Sequence, residues 1–181
     1  MVVHSVKIPQ NRVGALIGPE GKTRHELQER SGCRIHVDSE SGEVEIEDSK
    51  AFEPILVLKV RDVVRAIGRG FSPDHALRLF QDDTYLDIID LTEYVGKATK
   101  DLERVRSRII GTHGKTRRSI EESTGVEVSI LGKTVSIIGE MNEVAVAREG
   151  IEMLLGGAAH ATVYKFLERK HKELRLQDMG L

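Results

Sequence analysis

Residues 110–117 read Ile-Gly-Thr-His-Gly-Lys-Thr-Arg, two glycines three places apart with cations directly behind them. Residues of these types at this spacing suit a phosphate. Glycine takes left-handed backbone angles and has no side chain to hold a ligand off the main-chain N–H groups. Arg104, Arg106 and Arg108 precede Gly111 and Gly114, Lys115, Arg117 and Arg118 follow, and no acid falls between Glu103 and Glu121. Thr112 and His113 stand between the glycines, where His113 adds at most one donor.

The same frame occurs at residues 17–24, and the match continues without a gap through Leu27 and Ile120, Glu29 and Glu122, and Gly32 and Gly125. A self-similarity of this length marks an internal repeat. The earlier turn holds Pro19 and Glu20 between its glycines. Proline removes an amide donor and glutamate puts negative charge where a phosphate would come, so the second turn is expected to be the stronger anion site.

Other chemistries fit less well. Gly-Lys-Thr suggests a nucleotide phosphate loop, but Leu16 and Ile109 stand where that motif needs its first glycine. Cys33 is the one cysteine, which excludes a disulfide framework and a CxxC pair, and the seven histidines never fall at HxxxH spacing. No serine, histidine and acid group together as a triad. The acids at Glu43, Glu45 and Glu47 read as a protected sheet edge. No catalytic residue, metal or cofactor is expected.

Around each turn the periodicity predicts the same elements. Residues 3–8 alternate as a strand, 10–17 and 22–31 are helices flanking the turn, 33–37 and 43–47 are strands, and a long helix starts near Pro54. That helix is expected to turn Phe52, Ile55, Leu56, Val60, Val63, Val64 and Ile67 inward. Ser72 and Pro73 cap a short connecting helix. The order then repeats: a strand from Tyr85, a helix with Leu102, Val105 and Ile109 on one face, the second turn, a helix from Lys115 stopped at Gly125, two strands, and a helix over 141–155. Gly156-Gly157 releases a last helix over about 160–175 with a basic, wet face. The expected domains are 1–70, a connector at 71–83, 84–156, and the terminal helix at 157–181.

Composition sets the outer limits. At 181 residues, 39% hydrophobic and 31% charged, the chain is globular, with no apolar run of membrane-spanning length. Residues 1–5 lack a secretory pattern, so the cytoplasm is the expected location. A net charge of −2 excludes a protein that coats nucleic acid by bulk charge, so any such site is a local patch.

An Ile-Gly-x-x-Gly turn between two helices, followed by two strands and a third helix, resembles the type I KH domain, here present twice. The resemblance implies an α/β (α+β) fold of two tandem units, each a three-stranded antiparallel sheet with helices on one face. It also implies a groove that clamps about four unpaired nucleotides. In the second copy, Gly111, Thr112, His113 and Gly114 would hold the backbone, and Arg108, Lys115, Arg117 and Arg118 would neutralise phosphates. Ile109, Ile110, Val128 and Ile130 would floor the groove, and the strand over 126–130 would read base edges. The weaker first site would use Arg12, Leu16, Ile17, Gly18, Gly21, Lys22, Arg24 and Ile35, with Val37.

With the connector at 66–73 and the tail at 155–164, nearly the whole chain is similar to the archaeal branch of the partner-of-Nob family of small-subunit ribosome assembly factors. The related Krr-type factors share the connector. The resemblance implies single-stranded RNA as ligand, near the 3′ end of 16S rRNA or its precursor. Expected partners are a Nob-like endonuclease and other ribosome-assembly or translation-initiation proteins, with no membrane. A general KH adaptor of RNA degradation or translation, and a mainly protein-binding scaffold, stay open as alternatives.

Overall fold

In the computed structural model, which describes all 181 residues, the chain divides into two units, Met1–Asp82 and Asp83–Leu181. The first runs β1 (Val3–Lys7), α1 (Val13–Ile17), α2 (Lys22–Ser31), β2 (Arg34–Val37), β3 (Glu43–Glu47), α3 (Pro54–Gly68) and α4 (Pro73–Ala76). Its antiparallel sheet has the order β1-β3-β2, with Val6 opposite Val44 and Ile35 opposite Ile46. Strand period sets the faces: Val44 and Ile46 are buried under the helices while Glu43 and Glu45 stand in solvent. The acidic strand is therefore the central one, not the expected edge. Its ladder is protected by β1 and β2, and Glu43 accepts a hydrogen bond from the Ser5 hydroxyl at 2.8 Å.

Helix α3 buries Val57, Val60, Val63, Val64 and Ile67. Phe52 and Ile55, expected to face inward, are 68% and 50% exposed. The helix begins only at Pro54, which leaves Phe52 outside its period, and Ile55 falls opposite the stripe through Val57 and Val60. The chain beyond α3 stays with the first unit. Ser72 accepts from the His75 N–H, Phe71, Ala76 and Leu79 are buried, and Lys59 Nζ donates to the Phe80 carbonyl at 2.7 Å.

The second unit runs β4 (Thr84–Asp90), α5 (Thr92–Val95), α6 (Thr99–Ile110), α7 (Lys115–Thr124), β5 (Glu127–Leu131), β6 (Thr134–Glu140), α8 (Met141–Leu155) and α9 (His160–Asp178). Its sheet repeats the topology as β4-β6-β5, antiparallel throughout. Leu102, Val105 and Ile109 of α6, Ile120 of α7, Val135 and Ile137 of β6, and Ala147, Ile151 and Leu154 of α8 close one core. Helix α9 adds Val163, Phe166 and Leu167 to that core and packs on α7 and α8. Each unit is thus a three-stranded antiparallel sheet with helices, joined in tandem.

Candidate nucleic-acid interface

The two turns have nearly the same backbone. Gly18 and Gly111 take φ of 75° with ψ near 172° and 174°, Glu20 and His113 take φ of 54° and 53°, and Gly21 and Gly114 take 75° and 74°. Holding a non-glycine residue in the left-handed region costs on the order of 1 kcal/mol, so both turns carry strain at the same place. The glycines do different jobs. A Cβ on Gly111 would strike the Thr116 hydroxyl and lie 2.7 Å from the Thr116 nitrogen, and Gly18 is blocked by Thr23 in the same way. A Cβ on Gly21 or Gly114 would meet nothing within 4 Å. The first glycine closes the turn on the following helix, while the second keeps backbone open to an incoming ligand.

The strand wall of each groove is tied to the helix before it. The hydroxyls of Ser31 and Thr124, the last residues of α2 and α7, accept from the N–H groups of Cys33 and Val126 at 3.1 and 3.4 Å while donating back to Leu27 and Ile120 of their own helices. The Ile35 N–H donates to Gln28 at 2.9 Å, and the Val128 N–H to Glu121 at 3.1 Å. Strands β2 and β5 are edges, and backbone groups alternate toward and away from the neighbour strand. The side chains of Gln28 and Glu121 take the first outward N–H, leaving the outward backbone of Val37 and Ile130 free to meet base edges.

Of the expected apolar floor, half lies elsewhere. Ile109 is 0% and Val128 5% exposed, both in the core of the second unit. Leu16 and Ile35 are buried in the first unit. Successive helical residues point 100° apart, so of Ile109 and Ile110 only Ile110, 38% exposed, reaches the groove. Val128 sits deeper under the helices on the face it shares with Ile130. An open groove remains between α6 and the β5–β6 hairpin, lined by Glu103, Arg106, Ser107, Ile110, Ile130 and Leu131. Ile17 and Val37, both half-buried, take the matching places in the first unit.

The cations also separate. Lys115, Arg117 and Arg118 are exposed beside the second turn, with Thr112 and His113 projecting from it. Arg108, expected to face phosphate, instead donates to the Ala158 carbonyl, because the chain leading into α9 passes over the end of α6. Arg106 crosses the groove to the Gly132 carbonyl at 3.0 Å. In the first unit, Arg12 is likewise drawn away: its Nε and Nη2 donate to the carbonyls of Ile67 and Phe71 at 2.8 and 2.9 Å, at the end of α3, where a cation suits the negative pole of the helix. Lys22 is exposed and Arg24 half-buried near the first turn, where Glu20 also lies in solvent. Around Val37 the surface is acidic, with Asp38, Glu43 and Glu45.

Sequence reasoning missed the part played by the tail. Tyr164 hydroxyl and Thr116 hydroxyl share a hydrogen bond at 2.9 Å, His160 Nε2 bonds the Arg108 carbonyl at 2.9 Å, and Lys115 Nζ lies 5.4 Å from the centre of the Tyr164 ring. The available signal was two rings four places apart at the start of a helix, in a chain only 4% aromatic. No group of three or more His, Cys, Asp or Glu gathers to hold a metal ion, and no helix is long and apolar enough to cross a membrane.

Comparison with known proteins agrees with this architecture. The family of eukaryotic type KH domains (KH-domain type I), in the form of the second KH domain of PNO1, matches residues 85–172, and the KH domain family matches residues 3–52. The KH domain-containing protein MJ0443 of Methanocaldococcus jannaschii is 42% identical over 96% of this chain and 76% of its own. The pre-rRNA-processing protein pno1 of Schizosaccharomyces pombe is 28% identical over 88% of this chain and 67% of its own. A chain of the a/eIF2α–aDim2p–rRNA complex from Pyrococcus horikoshii superposes with a TM-score of 0.88 at 46% identity, covering 95% of each chain. With two KH units in the same order along nearly its full length, the chain belongs to the PNO1/Dim2 family of RNA-binding, pre-rRNA-processing proteins.

Proposed function

We propose that this chain binds single-stranded RNA in the groove of its second unit, near the 3′ end of 16S rRNA or its precursor, and assists maturation of that end without catalysing it. The observation that carries the reading is the second turn. Gly114 leaves its backbone open, Lys115, Arg117 and Arg118 stand exposed beside it, and Ile110 and Ile130 offer apolar surface to base faces across the groove. The Pyrococcus horikoshii complex of aDim2p with rRNA supports RNA of this class as the ligand. A Nob-like endonuclease acting on the same end, in the cytoplasm, is the partner that fits this role.

A second reading concerns the first unit. Its turn lacks one amide at Pro19, carries Glu20, and stands in a unit whose hairpin is acidic. That surface suits a basic protein face better than a phosphate chain, and a translation-initiation protein such as the a/eIF2α of the Pyrococcus complex is the class of partner we assign to it.

Replacing Thr112 and His113 by aspartates tests the main reading. Affinity for a short 16S 3′-end RNA should be abolished with circular dichroism unchanged, and undiminished affinity would overturn it. Crosslinking in cells should converge on one ribosomal site. Scatter over messengers would point to a general RNA adaptor instead.

A further inference from the structure

A second recess adjoins the groove at Ser107, which lines both. Its walls are Ser107, Gly111, Thr112, Lys115, His160 and Tyr164, with Arg108 at its base. It shares Gly111 and Thr112 with the turn, so a strand clamped there reaches the recess by continuing past the turn. No carboxylate lines it, whereas the groove carries Glu103.

The recess is preorganised by the tail. Arg108 donates to the Ala158 carbonyl, His160 bonds the Arg108 carbonyl, and the Tyr164 hydroxyl bonds Thr116. These contacts fix two rings at the turn, their centres 6.2 Å apart and their planes inclined by 45°. Anchoring of α9 does not need them, since Val163, Phe166 and Leu167 already bury the helix in the core. Tyr164 itself stays half-exposed, with the Lys115 ammonium resting over its ring.

We propose that this recess takes one further nucleotide of the same RNA strand, its base stacked on Tyr164 and its phosphate met by Lys115 and Ser107. The proposal rests on the reading that the second turn clamps RNA. In the free protein Lys115 occupies the ring face. An arriving phosphate draws the ammonium off the ring, and the base takes the vacated place. Stacking of a base on an aromatic ring is worth more than an exposed cation over the same ring, so the exchange runs toward bound RNA.

The test compares a tetranucleotide from the 3′ end of 16S rRNA with the same tetranucleotide flanked by two nucleotides on each side, by fluorescence anisotropy on the full chain. The longer RNA should bind about tenfold or more tighter to the unaltered protein. Tyr164→Leu should bring the ratio of the two affinities close to one, and Tyr164→Phe, which keeps the ring, should preserve it. Equal affinity of the two RNAs for the unaltered protein would overturn the proposal, and so would a Tyr164→Leu loss that is the same for both lengths. Tetranucleotide binding that ignores the double substitution Thr112→Asp, His113→Asp would instead overturn the groove reading, which separates the two failures.

Discussion

Arg106 of α6 and Gly132 of the β5–β6 turn meet across the mouth of the second groove, the guanidinium donating to the glycine carbonyl at 3.0 Å. The bond is exposed, so it adds little to stability, and it holds a cation over the path that a nucleic-acid strand would follow. On binding, Arg106 can exchange the carbonyl for a phosphate oxygen, a charge-assisted and stronger partner. Arg106→Ala should therefore leave the melting temperature nearly unchanged, weaken RNA binding, and make the log–log salt slope shallower by about 0.7. Binding isotherms at four salt concentrations measure all but the first of these.

The edge-strand anchors suggest an exchange between the two units. Glu121 and Gln28 hold equivalent amides, Val128 and Ile35, at 3.1 and 2.9 Å, one with a charge and one without. Glu121→Gln keeps the acceptor and removes a negative charge near the groove. The fold should be retained, and RNA affinity should rise about two- to threefold at low salt, with the gain shrinking as salt is added. A loss of affinity would mean that the charge itself orders β5.

Arg12 bridges the Ile67 carbonyl in the last turn of α3 and the Phe71 carbonyl just beyond it, at 2.8 and 2.9 Å, from a half-buried position. Hydrogen bonds to a charged donor contribute about 1.5–3 kcal/mol when neither partner is exposed, and partial exposure here reduces that to about 1–2 kcal/mol for Arg12→Ala. Arg12→Lys should recover only part, since an ammonium lacks the forked geometry. RNA binding by the second unit should not change, which distinguishes this strap from a phosphate contact.

Cys33 gives a readout for that loss. It is the single thiol and lies buried in the first unit, where burial pushes its pKa up, opposed by the nearby Ser31 side chain. In the folded chain alkylation should be far slower than in urea, and Arg12→Ala should bring the labelling transition to lower denaturant. The sign with pH follows from the raised value. Above the ordinary thiol range the unfolded chain ionises first, so the stability of the unit should fall as pH climbs through that range. Labelling at equal rates in folded and unfolded protein would show that the thiol is open to solvent.

What the sequence made legible was local. The glycine turns, the helix stop at Gly32 and Gly125, and the alternation of β3 are all set by near neighbours, and they identified the repeat and the element order. The misplacements came from contacts remote in sequence. Arg108 as a phosphate ligand and Arg12 as part of the weaker first site are expectations that rest on a cation standing near a turn. Which carbonyls the two side chains satisfy depends on where Phe71 and Ala158 arrive, 59 and 50 residues away. Strand order is equally nonlocal, so the glutamates of β3 read as an edge and proved central. Alternation gave the buried face of β5 but not the depth along it, which is what separates Val128 from Ile130.

The unequal surroundings of the two glycines in each turn bear on how such turns diverge after duplication. Gly18 and Gly111 are held by their own threonines, so a copy that abandons RNA still has to keep them in order to fold. Gly21 and Gly114 face open space, and apart from backbone strain nothing inside the protein demands them. Loss of the second glycine alone would then mark a retired copy, folded but released from its ligand. The first unit retains Gly21, with a proline and an acid between its two glycines.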